Sequence, residues 1–346
     1  MVDQRNQRGK EIREFIVRNM DEHPRDIARF TSEHFRITRQ AVLRHVRKLS
    51  ERGIVTVAGR TRDRQYALAP IRESIFELPI AKEVQEDAVW RQRVRPVLEG
   101  IRGNVIDICQ HGFTEIFNNA LEHSAGVTVL TSVKYFPNKI RIMIRDDGIG
   151  IFQKIQAELH LDDRRHAVLE LSKGKLTTDP KGHTGEGIFF TSRMFDEFRI
   201  LSGDLFFSHT EPEDDWLIEG DKERNEGTVV FLTIDPDSER TRLQVFDKHS
   251  FTGSYGFDRT HVPVALSRYG DENLLSRSQA RRLLARFERF KEVFLDFKGV
   301  ATVGQAFADE IFRVFLAENP QVKIVYVNAS REIKRMIWRA KGLGTE

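Results

Sequence analysis

Four short segments of this chain contain the residues that could do chemistry. Glu115 and Asn119, a carboxylate and an amide, stand one helical turn apart. An Asp opens the Gly-x-Gly turn at 146–150, a second glycine cluster follows at 182–187, and Gly227-Thr228 comes last. Carboxylate and amide oxygens suit Mg²⁺, an Asp can accept a hydrogen bond from the amine of adenine, and glycines let backbone approach a ligand. In this order the four segments indicate a nucleotide site, and ATP is the first ligand to suspect.

The first of these segments needs a helix to position it. A helix is predicted from Val105 to Ser124, with Glu115 and Asn119 on its polar side. Taken alone, that helix is better explained as an ordinary amphipathic helix with a wet polar face. The next segments favour a ligand site, because strands predicted at 127–136 and 139–145 form a hairpin that leads directly into the first Gly-x-Gly turn.

The second glycine cluster is predicted to begin an apolar helix from Ile188 to Phe195. The N-terminus of such a helix offers backbone N–H groups to phosphate oxygens. Between the two glycine clusters lie about thirty residues of polar, Gly- and Lys-containing chain. We expect this stretch to be a lid over the site.

Together the four segments resemble the GHKL ATP-binding family, the family of gyrase B and of the histidine and anti-sigma kinases. The resemblance covers about residues 100–235 and implies the Bergerat fold, an α/β sandwich, with ATP and Mg²⁺ as cofactors. It implies that Asn119 coordinates Mg²⁺ and that Asp146 accepts a hydrogen bond from adenine. The nucleotide contacts that it implies beyond these two are those of Gly148, Gly150, Gly182, Thr184, Gly185, Gly187 and Thr228.

By the same resemblance Glu115 is the candidate general base. In the ATPase branch of the family a glutamate there activates water, whereas in the kinases the chemistry is directed to a protein side chain. Glu115 could also orient a water or Mg²⁺ without supporting turnover. His111 and His123 lie on the same predicted helix and not in the dimerising hairpin of a histidine kinase, so an ordinary sensor kinase is not expected.

The first 70 residues are more basic than the rest of the chain. They contain 16 Lys or Arg and 9 Asp or Glu, a difference of +7. Because the net charge of the whole chain is +3, the remaining residues have a net charge of −4. A basic segment on a slightly acidic body indicates a polyanionic partner. An Arg-rich solvated surface is the alternative.

Three helices and a hairpin are predicted within this basic segment. The helices span 9–20, 24–35 and the residues after Thr38, and strands are expected at 54–58 and 65–68. The run from Thr38 to Ile54 is similar to the recognition helix of the winged helix-turn-helix family, which implies double-stranded DNA as a partner. The implied DNA contacts are Arg39, Gln40, Arg44 and Arg47 from the helix and Arg60, Arg62 and Arg64 from the wing. Winged helices also serve as protein-interaction modules, and that alternative stays open.

From residue 261 onward, predicted strands alternate with helices, which indicates a small α/β domain with a parallel pair of strands. The run Val293–Phe312 resembles the STAS-like family DUF4325, which is related to the anti-sigma-factor antagonists. In those antagonists a Ser in a tight turn accepts phosphate from a GHKL kinase. Here Gly304–Phe307 occupies that turn and contains no hydroxyl. Protein contact, in cis against the ATP-binding domain or in trans, is therefore expected instead of a phosphorylation switch.

Composition supports a soluble multidomain chain. Its 346 residues allow two or three domains, with 40% hydrophobic and 31% charged residues. No apolar stretch approaches the length of a bilayer span and no apolar signal region begins the sequence, so no membrane contact is expected. The single cysteine, Cys109, excludes an internal disulfide and favours a cytoplasmic location. Cys109 itself is predicted to be a small buried apolar residue.

We therefore predict a multidomain α/β protein. Its parts are a winged helix DNA-binding domain (1–70), a linker helix (71–98), a GHKL ATP-binding domain (99–235), a connection (236–260) and a STAS-like domain (261–346). The predicted function is transcriptional regulation, in which Mg-ATP controls the winged helix and STAS-like modules, and a homodimer is expected. The alternative is a GHKL-type serine/threonine kinase or ATPase that acts on a partner protein.

Overall fold

A computed structural model of the protein describes residues 2–60, 63–176, 185–210, 216–219, 225–250, 257–268 and 272–342. Its buried hydrophobic side chains form two separate clusters. The smaller extends from Ile12 to Leu68, and the larger from Trp90 to Ala340. The protein is thus a multidomain α/β protein, as the sequence predicts. Among the described helices, none combines the length and the apolar character that a membrane span requires.

Three helices and a two-stranded antiparallel sheet build the N-terminal unit. They are α1 (Val2–Asn19), α2 (Ile27–Phe35), α3 (Arg39–Glu51), β1 (Val55–Ala58) and β2 (Gln65–Leu68). The predicted cap of α3 is present, because the Thr38 hydroxyl accepts a hydrogen bond from the Ala41 N–H at 3.2 Å. The predicted apolar stripe of α3, Val42, Val46 and Leu49, is buried. The Arg-rich side of the helix consequently faces solvent.

Seven strands form one antiparallel sheet in the middle of the chain, in the order β3-β4-β5-β9-β6-β7-β8. The strands are β3 (Arg72–Pro79), β4 (Thr128–Phe136), β5 (Lys139–Asp146), β6 (Glu197–Gly203), β7 (Leu205–Thr210), β8 (Trp216–Glu219) and β9 (Asn225–Ile234). The predicted β4–β5 hairpin is present. Because β9 pairs with β5, Thr228 lies directly opposite Asp146. The sheet therefore brings together two of the four segments that the sequence singles out.

Residues 71–98 were predicted as a linker, with a short extended piece at 71–80 and a helix from 81 to 98. The structure has a full strand, β3, at the extended piece. Strand β3 pairs with β4 along its whole length, so this segment supplies an edge of the central sheet. Only its end is helical, with α4 (Glu86–Val89) followed by a π-helical turn to Val94 and a 3₁₀ turn to Leu98. The side chains of β3 alternate between half-buried and exposed, so its sequence lacks the apolar run of a central strand.

Four helices pack on this sheet or on one another. They are α5 (Gly103–His123), α6 (Ile151–Glu158), α7 (Arg164–Lys173) and α8 (Gly187–Met194). Helices α5 and α8 were predicted from the sequence. Helices α6 and α7 stand where a polar lid was expected, and buried Ile155, Ala167 and Val168 anchor them in the larger core. Cys109 of α5 is fully buried, as predicted, and burial raises the pKa of its thiol.

The predicted connection at 236–260 contains a further helix, α9 (Arg242–His249). A capping box begins it, because the Gln244 N–H donates to the Thr241 hydroxyl and the Thr241 N–H donates to the Gln244 side chain. Helix α9 packs on α5 and α8, with Val245 buried. This helix was not predicted, although Thr-x-x-Gln is a helix start signal in the sequence.

The C-terminal unit is a parallel sheet with helices. Its elements are β10 (Arg259–Pro263), α10 (Arg277–Leu284), β11 (Glu292–Asp296), α11 (Gln305–Asp309), α12 (Leu316–Glu318), β12 (Lys323–Val327) and α13 (Arg331–Ala340), with a π-helical stretch between α11 and α12. Three strands are paired in the order β10-β11-β12, where a parallel pair was predicted. Strand β10 was missed because it is short and precedes the clear helix–strand alternation.

The β4–β5 turn connects the N-terminal unit to the central sheet. Asn138 donates to the Asp21 carboxylate at 3.2 Å, and Lys139 forms an ion pair with the same carboxylate. Phe136 packs against the smaller hydrophobic cluster. One hairpin thus contacts the N-terminal unit at its turn and carries Asp146 at its other end.

Candidate functional site

A cavity of about 430 Å³ lies where α5, α6 and α8 meet the end of β5. Of the nucleotide-site residues that the sequence predicts, those lining it are Glu115, Asn119, Asp146, Gly150, Gly185, Gly187 and Thr228. Gly148 lies in the turn beside the cavity. Gly182 and Thr184 fall outside the described residues. Residues that are up to 113 positions apart in sequence therefore share one cavity wall.

Asp146 is fixed in the cavity wall by backbone hydrogen bonds. Its Oδ1 accepts from the Gly148 N–H at 3.0 Å and from the Thr228 N–H at 3.2 Å. The residue is only 7% exposed. Burial raises the pKa of the Asp146 carboxyl, and the two backbone hydrogen bonds oppose that rise. The geometry holds one carboxylate oxygen firmly and leaves the group able to accept from a further donor.

Two glycines around Asp146 are required by close approach. A Cβ on Gly148 would lie 2.1 Å from the Ser124 carbonyl oxygen. Gly227 has φ +79°, and a Cβ there would lie 2.0 Å from the Asp146 carbonyl oxygen. The glycines thus let the end of α5, the turn after β5 and strand β9 come together at one corner of the cavity.

Thr228 connects that corner to helix α6. Its hydroxyl accepts from the Ile151 N–H at 3.0 Å, at the first turn of the helix. The Ser202 hydroxyl donates to the neighbouring Gly227 carbonyl at 2.9 Å. Thr228 therefore fixes the start of α6 against strand β9. Ser202 was not identified from the sequence.

Helix α5 presents a row of polar residues to the cavity at intervals of four. The row is His111, Glu115, Asn119 and His123. The Glu115 carboxylate lies against Gly187, where a Cβ would fall 1.9 Å from its Oε2. Because α8 begins at Gly187, this carboxylate occupies the positive end of a helix dipole. An anion is favoured at that position.

Four further titratable residues line the cavity and were not among the predicted site residues: His111, His123, Lys154 and Glu186. Lys154 donates to the His123 carbonyl at 3.0 Å, which places a cation in the wall. Burial raises the pKa of the Glu186 carboxyl, and Lys175 opposes that rise. Lys154 lies one helical turn after Gly150, which precedes α6, so both residues face the cavity. This spacing would have identified Lys154 if α6 had been predicted.

His111 lies at the end of the cavity farthest along α5 from Asp146. Burial, with the positive charge of Arg242, lowers the pKa of its imidazole to about 4. The ring centroids of His111 and Phe246 lie 6.3 Å apart in an edge-to-face arrangement. The ring centroids of Phe246 and Phe190 lie 4.2 Å apart. Helix α9 thus supplies an aromatic boundary to this end of the cavity.

A second candidate surface is the outer side of α3 with the β1–β2 hairpin. The predicted DNA-contacting residues described there are all exposed: Arg39, Gln40, Arg44, Arg47, Arg60 and Arg64. Arg62 lies outside the described residues. Within the described part of the chain, none of these arginines forms an ion pair with a carboxylate. Their charges remain available to an anionic partner.

The turn at Gly304 is covered by the chain itself. The Gly304 N–H donates to the Leu274 carbonyl at 2.7 Å, and a Cβ on Gly304 would lie 2.8 Å from Leu275 Cα. Leu274 also forms a parallel bridge with Val303. The turn at Gly304–Phe307, which the sequence singles out, thus has no hydroxyl, and Gly304 is packed against another segment.

Comparison with known proteins identifies the C-terminal unit. Residues 279–334 match the family model described as a STAS-like domain of unknown function, DUF4325. Curated protein sequences give no match to the chain. The matched range contains most of α10 and all of β11, α11, α12 and β12. The C-terminal unit therefore contains a STAS-like domain.

Proposed function

We propose that this protein is an ATP-responsive DNA-binding regulator with a GHKL-type nucleotide site. The observation that carries the proposal is the meeting of three groups in one cavity: the buried Asp146 carboxylate, the Asn119 amide and the N-terminus of α8. Each group suits a different part of Mg-ATP, and all three line the same cavity. Four sequence segments in the family's order lead to the same proposal.

The residues present fit the nucleotide. The Asp146 carboxylate would accept from the adenine amine while its backbone bonds to Gly148 and Thr228 persist. The Asn119 amide oxygen would complete the octahedral coordination of Mg²⁺. The N–H groups at the start of α8 would hold phosphate oxygens. Lys154, whose ammonium pairs with Glu158 at 3.7 Å, adds a further hydrogen-bond donor to the cavity lining.

The N-terminal unit would provide the DNA contact. Arg44 and Arg47 on α3 would face the major groove, with Arg60 and Arg64 of the hairpin near phosphates. The hairpin that ends at Asp146 also contacts this unit through Asp21. That contact supports a route by which the state of the nucleotide site could alter DNA affinity.

A nucleotide-dependent change in DNA affinity is the decisive test. Binding of the full chain to random duplexes would be measured with no nucleotide, with ADP and with ATP, each with Mg²⁺. We expect ATP to change the dissociation constant by about fivefold or more, the lower range of allosteric coupling. Equal DNA affinity in all three states would contradict the proposal. Light scattering on the same samples would test the expected homodimer.

A kinase or ATPase that acts on a partner protein is the second candidate. The position of Glu115 against Gly187 favours it, because its carboxylate lies beside the start of α8, next to the place proposed for the phosphates, where it could act as a general base. Incubation with labelled ATP and candidate partner proteins separates the two functions. A regulator of the first kind transfers no phosphate to protein, whereas a labelled partner would establish the second.

A further inference from the structure

Helix α7 ends against the C-terminal unit, whose side chains bond the last carbonyl groups of the helix. The final carbonyls of any helix lack partners within it. Here the Thr260 hydroxyl donates to the Lys173 carbonyl at 2.7 Å. The Arg286 guanidinium donates to the Glu170 carbonyl at 2.8 Å and to the Lys175 carbonyl at 3.1 Å. The C-terminal unit therefore caps α7 from outside.

A buried group of charges completes this contact. Arg286 Nε donates to Glu170 Oε2 at 2.6 Å, and Lys173 Nζ donates to the other oxygen of Glu170. Lys173 is 0% exposed, and its ammonium also donates to the Ala285 carbonyl at 3.0 Å. Buried charges are tolerated only when every member is paired, and removal of one member is strongly destabilising. The buried ion pair between Arg286 and Glu170 therefore forms only when the C-terminal unit is packed against α7.

The same stretch of chain also forms a wall of the cavity. Leu171 and Leu176 line the cavity, and the Leu176 N–H donates to the Gly185 carbonyl at 3.0 Å. Between them Gly174 has φ +77°, and a Cβ there would lie 2.5 Å from the ring of Phe257. Residues 171–176 thus face the candidate nucleotide site on one side and the C-terminal unit on the other.

We propose that the STAS-like domain is an internal partner of the nucleotide site, and that its docking on α7 through Arg286 holds the cavity wall in the nucleotide-binding arrangement. Nucleotide affinity and docking are then coupled, and by linkage bound nucleotide must strengthen docking by the same factor. The partner of this surface is the STAS-like domain of the same chain. The nucleotide part of the proposal rests on the proposed ATP site, whereas the docking part does not.

Arg286→Ala tests the contact, and Arg281→Ala is its matched control. Both arginines belong to the same segment of the STAS-like domain, but Arg281 is 71% exposed at its side chain and pairs with Glu310 inside that domain. Two quantities would be measured in the full chain. They are the hydrogen exchange of residues 164–176 without nucleotide, and the dissociation constant of a fluorescent ATP analogue with Mg²⁺.

In Arg286→Ala we expect exchange in residues 164–176 to accelerate by about tenfold or more, because the helix loses its cap and Glu170 loses a buried partner. We expect affinity for the analogue to fall about fivefold or more. Arg281→Ala should change neither quantity. Arg286→Lys keeps the positive charge but loses the planar guanidinium. Its exchange rate and its affinity for the analogue should therefore lie between those of the wild type and the alanine variant. This milder variant also answers the question if the alanine variant does not fold.

The outcomes separate the docking claim from the ATP claim. Unchanged exchange in residues 164–176 for both Arg286 variants would overturn the docking claim, whatever the nucleotide result. Faster exchange with unchanged analogue affinity would overturn the coupling. Absence of analogue binding to the wild type would contradict the proposed ATP site, while the exchange data would still decide whether the STAS-like domain caps α7.

Discussion

The Glu115 carboxylate lies so close to Gly187 that a single methyl group on Gly187 would fall 1.9 Å from Oε2. Two segments that the sequence marks independently, the helix with the carboxylate and the second glycine cluster, therefore meet at one point. A side chain at 187 would require the Glu115 carboxylate to move away from the start of α8. The contact also sets the carboxylate at the positive end of α8, where it can act on whatever is bound beside that helix.

Glu115→Gln should separate catalysis from binding. The amide keeps the shape and the contact with Gly187 but cannot take a proton. If Glu115 is the general base, phosphate release falls by about 10²- to 10⁴-fold while affinity for ATP changes little. Phosphate release and fluorescent-analogue binding would be measured on the same preparation. Unchanged phosphate release in Glu115→Gln would remove the general-base assignment.

Asp146→Asn should abolish most nucleotide affinity without disturbing the fold. The amide oxygen of the variant can still accept from the Gly148 and Thr228 N–H groups, but the charge that would receive the adenine amine is lost. A hydrogen bond to a charged acceptor makes a loss of about 10- to 100-fold reasonable. Calorimetry with ATP and Mg²⁺ would measure it.

Asp147→Asn is the matched control for that substitution. Hydrogen bonds from the Thr128 and Val127 N–H groups hold the pKa of the Asp147 carboxyl below its usual range, and its side chain also accepts from the Thr128 hydroxyl. Asp147 is therefore a structural residue. Its variant should lose stability and keep nucleotide affinity, and equal loss of affinity in both variants would undo the assignment of Asp146.

Parts of this site could be predicted from the sequence because they depend on short-range patterns. Glu115 and Asn119 share a helix, and the turn at Asp146 directly follows a strand. That Gly187 joins them in one cavity was expected from the order of the four segments along the chain. The contact of Arg286 with Glu170 could not be predicted, since the two residues are 116 positions apart and both look like ordinary surface charges. Burial, which no local pattern reveals, gives that pair its importance.

The removal of arginines from α3 should reduce the salt dependence of DNA binding. Arg44 and Arg47 are exposed and would contact phosphate or bases. Each phosphate contact that is lost should make the plot of log affinity against log salt concentration shallower by about one unit. Arg44→Ala/Arg47→Ala would be compared with Arg18→Ala, which removes an exposed arginine from the end of α1. The prediction fails if the double variant keeps the wild-type slope.

His111 should make the protein sensitive to mild acid. Burial lowers the pKa of its imidazole to about 4, against an ordinary value of 6.5. The folded protein therefore keeps His111 neutral below pH 6.5, while the unfolded chain binds a proton there. The stability that depends on neutral His111 is complete above pH 6.5 and is lost as the pH falls toward 4. At pH 5 the loss amounts to about 2 kcal/mol.

His111→Gln removes this titration and keeps a polar side chain of similar size. Urea unfolding of the wild type and the variant would be measured at pH 7.5 and pH 5. Groups that both proteins share cancel in the comparison, so the wild type should lose about 2 kcal/mol more than the variant between the two pH values. Equal losses would mean that His111 titrates normally in the folded protein. In that case the end of the cavity next to Phe246 would be open to water, and α9 would not form its boundary.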